Sequence, residues 1–154
     1  MALDDILRPD AIVPSLRGST KKQALLELSE KAAQLSRLPA RAIFDALIQR
    51  ERLGSTGIGD GIAIPHGKLA RCEKIFGVFA RLERPIDFDA LDGAPVDLIF
   101  LLLAPEGAGA DHLSALSRAA RALRDPGVVR TLRATRDASA IYSVLLNVSK
   151  SDAA

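Results

Sequence analysis

The chain has 154 residues, 48% of them hydrophobic and 26% charged, with a formal net charge of +2. This fits one soluble globular domain with a single continuous core. Basic residues mixed with acids, and aromatics at only 4%, exclude a nucleic-acid surface built on a basic patch and stacking platforms.

Compartment follows from smaller signals. One cysteine forbids an intramolecular disulfide and suits a cytoplasmic protein. The opening Met-Ala-Leu-Asp-Asp has no basic region before an apolar core, so no secretory signal is expected. The longest apolar run, Leu98 to Ala104, is far below the ~20 residues of a spanning helix, so no membrane insertion is expected.

In chain order, Ile12 and Val13 before Pro14 suggest an edge strand or extended arm within residues 1–18. Thr20 and Gln23 have the spacing of a capping box, and Ala24, Leu25, Leu28, Ala32 and Leu35 then recur at helical period. Pro39 suits the first turn of a second helix, with Ile43, Phe44, Leu47 and Ile48 on its buried face and Gly54 closing it. Arg50 and Arg52 lie in its last turn, near the mouth of the loop that follows. There they can serve a site or simply complement the negative end of the helix dipole.

Gly54 to Lys68 is the stretch around which the rest is organised. Gly54, Gly57, Gly59 and Gly61 fall within eight residues, Ile62-Ala63-Ile64 reads as a short buried strand, and Pro65 stops it. The spacing is wrong for a nucleotide cradle. Gly61 and Gly67-Lys68 enclose five residues where a P-loop needs four, and Leu69 stands where the metal-holding hydroxyl would be. The run Gly57-Ile58-Gly59-Asp60-Gly61 leads into a strand, not into the helix of a dinucleotide fingerprint.

A polar connection, Lys68 to Lys74, precedes a strand over Ile75 to Ala80. Pro85 to Pro95 reads as a long turn-rich connection, with Phe88 and Leu91 tucked back and a turn at Asp92-Gly93. Val96 to Leu103 is the central strand, covered on both faces. After a loop over Ala104 to Gly109, Asp111 is expected to cap a helix through Leu113, Leu116, Ala120 and Leu123. A short helix near Val128 to Leu132 and a last one opened by Asp137 complete the chain, with a polar, frayed tail from Ser149 to Ala154. The expectation is a single layered α/β domain over residues 1–154, core about 5–148, with a mixed β-sheet flanked by helices.

Only two histidines are present, His66 after the glycine stretch and His112 at the start of a helix beyond the central strand. In layered α/β domains such loop-proximal positions assemble into sites. A neutral imidazole is a nucleophile at pH 7, and a second imidazole with nearby arginines would neutralise an arriving phosphoryl group. The competing readings are a plain turn histidine at His66 and a helix-start residue at His112. A metal site with Asp111 or Cys72 lacks any HxH, HExxH or CxxC spacing, so no metal and no cofactor is expected. Cys72 sits in the charged connector Arg71-Cys72-Glu73-Lys74 and reads as incidental.

The run from Arg50 to Lys68, ending in Gly61-Ile62-Ala63-Ile64-Pro65-His66-Gly67-Lys68, resembles the active-site signature of the bacterial phosphotransferase-system IIA domains. The likeness is to their mannitol/fructose type, and within it to the nitrogen-regulatory branch. It continues through Leu91-Asp92-Gly93-Ala94-Pro95-Val96, Leu102-Leu103-Ala104-Pro105 and His112-Leu113-Ser114-Ala115-Leu116, nearly the whole chain in order.

The resemblance implies that His66 accepts a phosphoryl group from the histidine of a small HPr-like phosphocarrier protein. His112 would hydrogen-bond the phosphoryl oxygens, Arg50 would be a charge clamp, and Ser55 and Thr56 would contact phosphate more weakly. It implies no metal and no nucleotide. Docking calls for an apolar patch around His66, to which Ile58, Ile62 or Leu69 would contribute. Two functions fit: a regulatory phosphocarrier that controls partner proteins by its phosphorylation state, or a sugar-transport component passing phosphate to a IIB domain. The chain carries neither a cysteine-centred acceptor domain nor membrane spans, and Ser-Thr-Gly-Ile-Gly before the histidine favours regulation. A ligand-sensing domain using His66 only for binding is the reading from another class.

Overall fold

Strand β6 (Val96–Pro105) is the axis of the molecule, with Leu98 through Ala104 fully buried. Its side chains alternate between two cores. Leu98, Phe100, Leu102 and Ala104 pack with Ala115, Ala119, Ile141 and Leu145 on one face of the sheet. Ile99, Leu101 and Leu103 pack with Leu25, Leu28, Ile43 and Leu47 on the other. Burial on both faces is why this strand reads as a continuous apolar run.

In the computed structural model residues 2–153 are described, residues 149–153 by backbone alone. The frayed tail expected from Ser149 to Ala154 lies outside the fully described residues. The remaining strands are β1 (Ile12–Leu16), β2 (Gly57–Gly59), β3 (Ile62–Ala63), β4 (His66–Leu69) and β5 (Phe76–Ile86). The sheet order is β1-β5-β6-β3-β2, and β4 also pairs with β6. The β1–β5, β3–β6 and β4–β6 pairs are parallel, while β5–β6 and β2–β3 are antiparallel. Helices α1 (Lys21–Ser36) and α2 (Ala40–Arg52) cover one face. Helices α3 (Gly109–Ala122), α4 (Pro126–Ala134) and α5 (Ala138–Ala153) cover the other. The protein is a single α/β domain with a mixed sheet flanked by helices, as expected.

Local differences have physical reasons. Pro65 does not end its strand; it interrupts it. Ile62 faces Leu98 and His66 faces Leu102, so the register along β6 is unchanged across the gap. Pro65 has no N–H to donate, but its carbonyl still accepts from Leu102 N at 3.0 Å. His66 therefore opens a strand instead of sitting in a loop, and β4 takes up the first part of the polar connection. Strand β5 continues past Ala80 to Ile86, with its pairing to β6 broken between Arg81 and Ile86. Phe88 is fully buried, but Leu91 is exposed instead of tucked back.

The helix starts are mixed. Thr20 Oγ1 accepts from Gln23 N at 3.1 Å, while Gln23 Oε1 turns to Ser19, so half of the capping box forms. Asp111 does not cap α3. The helix begins at Gly109 with Ala108 before it, and Asp111 lies inside the first turn, where its charge still suits the dipole. Asp125 is a true cap for α4, accepting from Gly127 N and Val128 N.

Candidate functional site

Strand β4 is bonded to β6 alone, so its outer edge faces a crevice between the two helical layers. Gly67 lets α2 come close on one side: a Cβ there would lie 3.3 Å from Ala46 Cβ. The resulting cleft, of about 440 Å³, is lined by Gln49 and Arg50 from α2 and Leu53 at its C-terminal cap, His66 and Lys68 from β4, and His112, Leu113 and Leu116 from α3. Sequence-distant His66, His112 and Arg50 thus meet in one cleft.

His66 is held at both nitrogens. Its Nδ1 lies 2.9 Å from the Ile64 carbonyl oxygen, which can only accept, so Nδ1 carries the proton. Its Nε2 then has a free lone pair, which accepts from Arg50 Nε at 3.1 Å. Arg50 also donates through Nη1 to Gly54 O at 2.9 Å. The arginine therefore bonds a carbonyl just beyond the C-terminus of α2 and the imidazole together. Arg52 is exposed and lines no part of the cleft.

The His112 ring lies edge-on to His66, centroids 5.4 Å apart. Its Nε2 is buried and has no hydrogen-bond partner among the described residues. An unmatched polar atom inside a cleft is costly unless something polar comes to meet it. Burial lowers the pKa of both imidazoles from 6.5. At His66 the Arg50 charge lowers it further, while the Ile64 carbonyl bond and Glu51 oppose. At His112 the His66 and Lys68 charges lower it further. Both rings are neutral at pH 7.

This has a consequence for stability. The unfolded chain takes up protons near pH 6.5, while the folded histidines resist until lower pH. The two histidines thus contribute stability that is present above pH 6.5 and lost as pH falls through their lowered folded values. The melting temperature is expected to fall between pH 7.5 and 5.5 in the wild type and less in His66→Gln. Equal pH dependence in both proteins would show that His66 keeps its ordinary pKa.

Ser55 and Thr56 are placed differently from what the resemblance implies. Ser55 Oγ donates to Phe88 O at 2.7 Å and accepts from Gly57 N. Thr56 is buried and bonds Glu51 through both its hydroxyl and its backbone N–H. Both hydroxyls are engaged in fastening the glycine stretch. The docking patch also differs. Ile62 is buried, and neither Ile58 nor Leu69 lines the cleft; its exposed apolar side chains are Leu53, 84% exposed, and Leu113, 69% exposed. Sequence reasoning missed Glu51, Lys68 and these two leucines. The signal for Leu113 was an apolar side chain directly beside His112, one position off the helix face buried through His112, Ala115 and Ala119.

The fold and cleft define a class, the layered α/β domains with paired histidines at a sheet edge, and comparison with known proteins gives the family. The family model described as "Phosphoenolpyruvate-dependent sugar phosphotransferase system, EIIA 2" matches residues 5–148. A nitrogen regulatory protein of Bradyrhizobium diazoefficiens is 63% identical over 145 residues, 94% of this chain and 95% of that protein. The crystal structure of nitrogen regulatory protein IIA-Ntr from Neisseria meningitidis superposes with a TM-score of 0.86 at 38% identity, covering 92% of this chain and 97% of the other. IIA mannitol from Escherichia coli shares the fold, with a TM-score of 0.77 at 22% identity over 90% of this chain and 97% of its own. The chain belongs to the type-2 IIA family of the phosphotransferase system, in its nitrogen-regulatory branch. No helix among the described residues is long and apolar enough to cross a membrane.

Proposed function

We propose that this protein is a cytoplasmic regulatory phosphocarrier: it accepts a phosphoryl group on His66 Nε2 from a phosphohistidine of a small HPr-like protein and controls partner proteins by its phosphorylation state. The observation that carries this reading is the tautomer. With Nδ1–H committed to Ile64 O, the one lone pair free to attack is on Nε2, and Nε2 faces the cleft beside Arg50.

The step balances without a proton transfer. The Nε2 lone pair attacks phosphorus in line, the donor's P–N bond breaks, and its electron pair returns to the donor imidazole. Positive charge grows on the His66 ring as the new bond forms, and the Nδ1–H bond to Ile64 O strengthens to meet it. Arg50 leaves Nε2 and takes the phosphoryl oxygens, while His112 Nε2, as the N–H tautomer, donates to them. Protein catalysis here is positioning and charge neutralisation.

Regulation follows from where the charge lands. A phosphoryl group adds about −1.5 to −2 charges at pH 7. Between exposed Leu53 and Leu113 it would change which surfaces can dock there. The test is incubation with phosphoenolpyruvate, its kinase and the phosphocarrier. One acid-labile phosphate per chain is expected, followed by a different set of captured partners for the two states. A wild type that stays unlabelled overturns the phosphocarrier reading, and rapid onward transfer to a IIB domain would favour sugar transport instead.

The His112 role gives a separate expectation. A hydrogen bond to a charged group contributes about 1.5–3 kcal/mol, which is about 10- to 100-fold in rate. His112→Ala removes this donor and is expected to slow phosphoryl transfer by about that factor in rapid-quench measurements. Transfer at the wild-type rate would remove His112 from the site.

A further inference from the structure

The hydrogen-bond geometry points to Glu51 as a positioning residue for the His66 imidazole; this rests on the phosphoryl-acceptor reading above. Glu51 does not touch the ring. Its carboxylate accepts from Thr56 N at 3.0 Å through Oε1 and from the Thr56 hydroxyl through Oε2. The Thr56 carbonyl accepts from Ile64 N at 3.0 Å. The Ile64 carbonyl accepts from His66 Nδ1 at 2.9 Å. Glu51 thus fixes the segment whose carbonyl decides the tautomer of the acceptor.

The adjacent residue, Arg50, holds the other nitrogen. Two consecutive side chains from the last turn of α2 therefore grip the two ends of one imidazole, Arg50 directly and Glu51 through Thr56 and Ile64. The arrangement needs a carboxylate. The Glu51 side chain is only 6% exposed and meets three donors: Thr56 N, the Thr56 hydroxyl and Lys21 Nζ at 2.9 Å. A buried anion is tolerated only when so partnered. Lys21 is itself held over the Phe88 ring, 4.8 Å from its centroid. Glutamine, with one acceptor oxygen, cannot serve all three donors. Thr56, which the resemblance would place on phosphate, instead links Glu51 to the acceptor strand.

The experiment reads tautomer and rate separately. In the unphosphorylated wild type, ¹⁵N NMR of the imidazoles is expected to show His66 protonated at Nδ1 and bare at Nε2. Glu51→Gln and Thr56→Val are expected to give mixed tautomers. They should also transfer phosphate about tenfold more slowly at an unchanged KM for the phosphocarrier, as a loosened acceptor would. Thr56→Ser keeps both donors and should restore wild-type tautomer and rate. Variants that melt lower yet keep the Nδ1–H form and the wild-type kcat overturn the inference, since Glu51 would then only fasten the loop. If Glu51→Gln does not fold, Thr56→Val decides alone. The two readings fail differently. An unlabelled wild type with tautomer loss in the variants sinks the phosphocarrier reading and leaves the positioning intact. A labelled wild type with unaltered variants does the reverse.

Discussion

His66→Ala is expected to gain no acid-labile phosphate from the phosphorylated carrier at any time that labels the wild type. Available lone pairs decide this outcome. His112 is the other histidine, its ring lies 5.4 Å from His66, and its Nε2 is buried. The remaining polar groups lining the cleft, Arg50, Lys68 and Gln49, are two cationic side chains and an amide, none of which offers a nucleophile like the imidazole. The loss should be complete, in contrast to the graded slowing expected for His112→Ala.

The fold should survive this change. His66 is half-buried at a free strand edge, and removing it deletes two hydrogen bonds, each of about 1 kcal/mol. That is small against the roughly 5–15 kcal/mol stability of a typical domain. A folded, unlabelled His66→Ala therefore speaks about chemistry and not about unfolding. A His66→Ala that still gains phosphate puts the acceptor elsewhere.

Elements stood out in the sequence where local pattern and tertiary burial agree. The unbroken apolar run of β6 and the helical recurrence of Leu25, Leu28 and Ala32 leave little choice, because each matches the face it buries. The features that were not legible are those set by distant partners. Pro65 is a strand breaker by itself, yet pairing with β6 carries the strand through it in register. Leu113 and Leu91 look like core by their side chains and are exposed by their positions.

The candidate site divides in the same way. His66 and His112 stood out by residue type and loop-proximal position, and Arg50 by the resemblance and its place in the last turn before the glycine stretch. The nitrogen of His66 left free is decided by a carbonyl two residues back, and that carbonyl is placed by a hydrogen bond from Ile64 to Thr56. No periodicity encodes such a contact. Ser55 and Thr56 show the converse case: a hydroxyl beside a phosphate-binding motif suggests phosphate contact, but tertiary structure commits both hydroxyls to Phe88 O and Glu51.

Arg50→Ala is expected to slow phosphoryl transfer by about 10²- to 10³-fold, the scale seen when one pre-placed donor to a developing anion is removed. Two further effects act on the same variant. The Arg50 charge helps lower the His66 pKa, so its removal makes the imidazole more basic and moves the acid limb of the pH–rate profile to higher pH. A more basic nitrogen is also a better nucleophile, and this opposes the slowing without cancelling it, because the phosphoryl oxygens lose the Arg50 guanidinium. Arg50→Lys restores the charge but not the planar fork, so the acid limb should return toward wild type while the rate recovers only in part. The structural role is separable: loss of the bond to Gly54 O costs about 1 kcal/mol, or about 2–4 °C in melting temperature for a chain of this size. Arg50→Ala that melts lower by that amount but transfers phosphate at the wild-type rate would make Arg50 a helix-end residue alone. A shifted acid limb with a hundredfold slower plateau would assign it both tasks.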